Sequence, residues 1–185
     1  MTARPNTGRP NLGPLVSAGT VLGVGLGGFV DGIVFHQLLQ LHNMLSARVP
    51  VRGVDARTLA VNLEINMFWD GVFHAFTWTM TAIGLALLWR AVTRGRGPKA
   101  QTSVAPVPLS GKVFAGSLAL GFGLFNLVEG VIDHHVLHLH HVVEAEGHLV
   151  WDLAFLGSGV VLCALGSALI RAGRRDVERS PAAMA

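Results

Sequence analysis

Long apolar runs, interrupted by few and unevenly placed polar residues, divide the chain into four segments. The first runs from about Val16 to Phe35, with a helical continuation to Leu45. The second spans about Ile65 to Trp89. The third starts near Val113 and reaches Val128, continuing as helix through His141, and the fourth is Leu149 to Ile170. Each holds about 20 residues or close to it, enough at ~1.5 Å rise per residue to cross a hydrocarbon core ~30 Å thick. Glycines stud the first and third segments (Gly23, Gly25, Gly27, Gly28, Gly32; Gly116, Gly121, Gly123, Gly130). Glycine weakens a soluble helix but lets helices approach closely in lipid. A membrane β-barrel would alternate polar and apolar residues in ~10-residue strands, and no such alternation occurs. The pattern predicts an all-α polytopic membrane protein, a bundle of four transmembrane helices.

The same pattern repeats inside the chain. At an offset of 98, Gly23, Gly25, Asp31, Gly32, His36 and His42 match Gly121, Gly123, Glu129, Gly130, His134 and His140. At an offset of 82, Glu64, Trp69 and Asp70 match Glu146, Trp151 and Asp152, with Asn66 opposite His148. The expected domain therefore covers residues 14–172 and consists of two helix hairpins, 14–92 and 110–172. A Gly-, Pro- and Lys/Arg-rich linker (93–109) joins them, a disordered tail (1–13) precedes them and a second tail (173–185) follows. Odd helices run one way and even ones return, so the copies are parallel, related by an axis along the membrane normal.

Composition agrees: 51% of the residues are hydrophobic and 14% charged, with mean hydropathy +0.51, where a soluble domain carries about 25% charge. A single cysteine, Cys163, excludes an intramolecular disulfide framework and any CxxC site. The net charge of +3 reports topology rather than nucleic-acid binding, because the basic residues cluster between the apolar runs. Arg4 and Arg9 precede the first helix; Arg90, Arg94, Arg96, Lys99 and Lys112 lie between the second and third; Arg171, Arg174, Arg175 and Arg179 follow the fourth. The opposite side has Arg48, Arg52 and Arg57. The positive-inside rule then places both termini in the cytoplasm, for a multi-pass protein of the cell (inner) membrane. The glycines spell no phosphate loop: Gly23, Gly25 and Gly28 lie inside an apolar helix with no preceding strand.

Nine histidines and no tyrosine are the unusual feature, and every His falls toward the extracytoplasmic ends of the helices. His36 and His42 lie at the outer end of the first helix, and His134, His135, His138, His140 and His141 at that of the third. Asn66, Asp70 and His74 open the second; His148 and Asp152 open the fourth. His134, His138 and His141 share one helical face (i, i+4, i+7), which leaves His140 and His141 unable both to point inward with His138. Asp31 and Glu129 stand 11 residues before His42 and His140, roughly 16 Å deeper on a continuous helix. A buried carboxylate costs at least ~2.5–3.5 kcal/mol in a membrane and must be paired, protonated or bound to a cation. Imidazole with carboxylate and no thiolate suits Zn, Fe, Cu or Mn, and helical bundles hold paired metals with such side chains.

The candidate ligands are His36, His42, Asp70, His74, His134, His138, His148 and Asp152, with Asp31 and Glu129 as buried acidic partners. The reading is an integral membrane metal-binding protein whose His/carboxylate site, with enough donors for two ions (Fe, Cu or Zn), opens toward the extracytoplasmic face. Such a site serves an oxidoreductase or a metal-handling factor. The alternatives are bis-His haem ligation, with His36 facing His134, and a proton-coupled carrier built on Asp31 and Glu129. Against these stands the plain reading that a His on an apolar helix makes an interhelical hydrogen bond. The recurrence of acid and His positions in both copies weighs against coincidence.

The stretch GGFVDGIVFHQLLQLHNML, with WDGVFHAFTW and LVEGVIDHHVLHLHH after it, resembles a bacterial family of predicted four-helix membrane proteins catalogued as domain of unknown function 2243. The resemblance covers roughly residues 14 to 172. It implies the membrane architecture, carries no activity, and singles out Asp31, His36, His42, Asp70, His74, Glu129, His134 and His140.

Overall fold

The computed structural model describes residues 10–94 and 107–180. All regular structure among them is helical: α1 (Gly13–Phe29), α2 (Ala56–Thr93), α3 (Gly111–Glu129) and α4 (His148–Arg179). Pro14 stands in the first turn of α1, where its missing N–H costs nothing. Asp55 caps α2 by accepting from the Arg57 and Thr58 amides, and Ser110 caps α3 by accepting from that of Val113. The four spans Gly13–Leu38, Ala56–Thr93, Gly111–Val136 and His148–Arg179 are long and apolar enough to cross a membrane. Most of the expected tails and linker lies outside the described residues. The stretch after residue 172 differs from expectation, because α4 runs on to Arg179. There Asp176 accepts a salt bridge from Lys112 at 2.6 Å, and Val177 packs on the cluster of Leu12, Leu15, Val107 and Val113.

The bundle has an inner and an outer pair. Half of the first span's most apolar stretch and 44% of the third's are buried, against 17% for each of the others. α1 and α3 cross at the centre, α2 packs on α1, and α4 packs on α3. The glycines set these spacings. A Cβ on Gly23 would fall on the Leu118 carbonyl oxygen, and one on Gly121 on that of Thr20, so α1 and α3 touch backbone to backbone. The outer contacts repeat in both copies: Gly84 meets Leu22 as Gly166 meets Leu120, and Gly25 meets Thr81 as Gly123 meets Cys163. The outer helices turn Met67, Phe68, Trp78, Val150 and Val161 outward, a belt fitted to lipid rather than water.

At their C-terminal ends α1 and α3 do not continue as α-helix. Each widens into a π-helix, over Val30–Leu38 and Gly130–Val136. Leu39 donates to the Val34 carbonyl five residues back, as Leu137 does to that of Ile132. Gln40 (φ 49°) and His138 (φ 47°) then take the left-handed conformation and turn the chain back. The expected continuations to Leu45 and through His141 are therefore absent. Two buried carboxylates draw the next backbone amides out of helical register: Asp70 accepts from the Met44 N–H and Asp152 from that of Val142. The returning segments of the two repeats interlock, with Ala47 donating to the Leu139 carbonyl and Arg48 to those of Leu137 and His138.

The central crossing is the packing constraint to test. Gly121→Leu forces α1 and α3 apart, and overpacking of this kind typically costs ~1–3 kcal/mol or more. A Cβ added at Gly71 meets nothing within 4 Å, which makes Gly71→Leu the control. Thermal unfolding in detergent should show a clear loss of Tm for the first and little change for the second; equal effects would refute the assignment.

Candidate metal centre

The π-turns decide which side chains meet. Asp31 and His36 are five residues apart, as are Glu129 and His134. On an α-helix such residues stand roughly 140° apart; in a turn bonded i to i+5 they lie almost one above the other. Asp31 Oδ2 accordingly sits 3.0 Å from His36 Nε2. The left-handed turn then returns His42 and His140 to the same place. His42 Nε2 lies 3.7 Å from Asp31 Oδ1, and His140 Nε2 lies 3.6 Å from Glu129 Oε1. The 16 Å separation expected on a straight helix collapses to contact. Asp31 and Glu129 are themselves neighbours across the axis.

All six side chains are at most 3% exposed. The imidazoles touch: His42 and His140 stack at 4.7 Å between centroids and 3° between planes, His36 meets His42 edge-on at 4.5 Å, and His134 meets His140 at 4.8 Å. Their protons can be assigned by chemistry. His42 Nδ1 is 2.9 Å from the Val142 carbonyl and His140 Nδ1 is 3.1 Å from that of Met44. A carbonyl only accepts, so each Nδ1 carries the proton and each Nε2 presents a lone pair to the centre. Positions 44 and 142 are repeat equivalents, so each imidazole is held by the other repeat. Behind the cluster, His36 Nδ1 donates to Asp70 Oδ1 at 2.9 Å, and His134 Nδ1 lies 3.4 Å from Asp152 Oδ1. A carboxylate behind an imidazole is the arrangement that orients metal-bound histidine.

Polar atoms inside proteins are nearly always hydrogen-bonded. Among the described residues ten buried side-chain nitrogens and oxygens have no hydrogen-bond partner in good geometry, and eight belong to this cluster: Asp31 Oδ2 and His36 Nε2, which face each other at 3.0 Å, His42 Nε2, both oxygens of Glu129, both ring nitrogens of His134 and His140 Nε2. Of their carboxylate–imidazole separations, 3.0 Å is that of neighbouring ligands, and 3.6 and 3.7 Å are a little wider. Around a metal with ~2.1 Å bonds, adjacent donors lie about 3.0–3.4 Å apart. Two overlapping trios, His36/His42/His140 and Glu129/His134/His140, bring one donor atom each within 4.8 Å.

The structure thus joins His36, His42, His134, Asp31 and Glu129, and stations Asp70 and Asp152 behind His36 and His134. It leaves two candidates out. His74 donates from Nδ1 to the Asp70 carbonyl of its own helix, with Nε2 3.5 Å from Gln37 Nε2. His138 is exposed at the left-handed turn, so the face it was to share with His134 and His141 does not form. His148 lies at the edge, 3.3 Å from Asp152 Oδ2. His140 was missing from the candidate ligands because the face argument assumed a continuous helix; its pairing with His42 in the repeat was the signal that could have placed it. Two apolar clefts also reach the cluster from the lipid side. One, about 270 Å³, runs past Phe73, Phe76, Phe125 and Ile132 to Glu129; its repeat counterpart, about 130 Å³, runs past Val30, Phe35 and Phe155 to Asp31.

Fold and site together define a polytopic helical membrane protein with His/Asp/Glu clusters that could hold a metal. The chain belongs to the family described as predicted membrane protein (DUF2243), which matches residues 18–173. No curated protein and no solved structure matches it.

Burial holds the His140 imidazole well below its usual range, and positive charge on His42 or His134 adds to this. A histidine with a depressed folded-state pKa contributes stability fully above its unfolded value near 6.5, and loses it as the pH falls below that value. The metal-free protein should therefore lose up to about 1.4 kcal/mol per pH unit from this group on acidification. Thermal unfolding from pH 7.5 to 5 should show the decline, and His140→Gln should flatten it.

Proposed function

We propose that this protein is an integral membrane metalloprotein. Its buried centre takes two transition-metal ions, one at Asp31, His36 and His42 and the other at Glu129, His134 and His140. The observation that carries this reading is the convergence of eight orphaned donor atoms in one dry place. In membrane an unpaired donor is costlier still than in a soluble core, and two bound cations would give partners to the carboxylate oxygens and inward-facing imidazole nitrogens among them. Two divalent ions on Asp31 and Glu129 leave two positive charges, which the carboxylates of Asp70 and Asp152 behind the imidazoles balance. With imidazole and carboxylate donors and no thiolate, iron, copper or zinc fits the donor set.

The protein's own part is to exclude water, to hold the imidazoles in one tautomer through the Val142 and Met44 carbonyls, and to back His36 and His134 with acids. Bound iron or copper would supply one-electron chemistry, and the cleft ending at Glu129 would admit a small or lipophilic molecule from the bilayer; zinc would fit a metal-handling role. The positive-inside asymmetry places this end of the bundle on the extracytoplasmic side, with both termini cytoplasmic. The haem alternative is disfavoured by the contact between imidazoles, which leaves no slot for a macrocycle between His36 and His134. A proton carrier on Asp31 and Glu129 has no separate support, since both acids lie within the histidine cluster.

Elemental analysis of detergent-purified protein from metal-replete cells should find close to two equivalents of Fe, Cu or Zn per chain. Paired His42→Ala and His140→Ala substitutions should lower the content at least ten-fold, whereas His138→Ala should leave it unchanged. Wild-type protein without stoichiometric metal would sink the proposal. Reporter fusions at each terminus test the orientation, and an extracytoplasmic terminus would overturn that part.

A further inference from the structure

Around Asp70 and Asp152 the two repeats differ in chemistry, amides serving the first carboxylate and imidazoles the second. In the first repeat Asp70 is served by amides: Asn43 Nδ2 donates to Asp70 Oδ2 at 3.0 Å, and the fully buried Asn66 is spent on the Leu45 amide and the Val49 carbonyl. Their equivalents in the second repeat are imidazoles, His141 and His148. Both direct Nδ1 at Asp152 Oδ2, at 2.8 and 3.3 Å, and their rings stack at 3.8 Å. The other oxygen of Asp152 faces His134 Nδ1 at 3.4 Å. Side-chain exposure falls along this series, from 45% at His148 through 13% at His141 to 2% at Asp152 and 1% at His134. The first repeat offers no imidazole at the two equivalent positions, Asn43 and Asn66.

We infer that His141, His148 and Asp152 form a second, surface-accessible cation site through which a divalent transition-metal ion enters the buried centre. The donor set is two imidazoles and one carboxylate, whose ligand atoms lie within 4.8 Å of one another. Three protein donors with the remaining positions open to water are suited to binding an ion and releasing it again, unlike the enclosed cluster behind. Asp152 is common to the outer trio and to His134, so an ion held outside is already on a carboxylate that touches the inner site. Glu144 accepts from the His141 backbone N–H at 3.2 Å and from Ser46 Oγ at 2.8 Å, which sets the loop carrying His141 and adds negative charge beside the entry. The entry role rests on the proposed buried centre; the outer site itself does not.

The test uses the full chain in detergent, stripped of metal, with Co²⁺ as the probe. Equilibrium titration followed by absorbance counts the sites, and rapid mixing gives the uptake rate. His141→Asn with His148→Asn copies the residues of the first repeat, and Asn at 141 keeps a donor for Asp152. Wild type should bind one weaker equivalent beyond the buried ones. The Asn pair should lose that equivalent alone and fill the buried centre at least ten-fold more slowly, to the same final content. Unchanged stoichiometry and rate in the Asn pair would overturn the inference. So would loss of the buried metal itself, which would make the two histidines positioning residues for His134. The paired His42→Ala and His140→Ala protein separates the two ideas: it should keep the weaker equivalent. If wild type binds only that equivalent, and only the Asn pair removes it, the outer site stands while the buried centre falls.

Discussion

His42 and His140 lie face to face near the axis of the molecule, each held through Nδ1 by a backbone carbonyl of the opposite repeat. That crossed pair of hydrogen bonds ties the returning segment of one hairpin to the other and settles which nitrogen of each ring faces inward. It is possible only because the chain turns back after a π-helical extension on α1 and on α3. The π-turns in their turn bring Asp31 under His36 and Glu129 under His134. Remove the crossing and the six polar side chains lose both their mutual contact and the closure that keeps water from them.

Burying six ionisable side chains at the end of a membrane bundle is expensive, and the structure offsets part of the cost unevenly. Asp70 and Asp152 are satisfied by backbone amides, imidazoles and an asparagine. The inner atoms are not. The proposed centre rests on that contrast within one small region: the outer nitrogens of His36, His42 and His140 have hydrogen-bond partners and their inner ones do not. The apolar clefts beside Glu129 and Asp31 place the same atoms within reach of the bilayer.

Symmetry and its breakage divide the work. The glycine contacts, the π-turns, the left-handed residues and the carboxylate-backed imidazoles all occur twice. The replacement of Asn43 and Asn66 by His141 and His148 occurs once, and gives the second repeat alone a pair of imidazoles on its backing carboxylate.

The apolar runs, the glycine pattern and the repeat determined a great deal without coordinates: an all-helical chain, four spans, two parallel hairpins, and which acids and histidines recur. Those features are local or periodic, and lipid enforces them segment by segment, because every backbone polar group within it must be paired inside its own helix. The register of the site was not local. Periodicity with 3.6 residues per turn set Asp31 and His36 on different faces, pushed His42 far above Asp31 and recruited His138. The wider turn, the two left-handed residues and the crossed carbonyls reversed each of those assignments. They depend on amides captured by carboxylates of α2 and α4 and on backbone groups offered by the other repeat, partners 10 to 100 residues away in the chain. Only the folded arrangement, in which those distant groups compete with the helix for the same hydrogen bonds, could decide them.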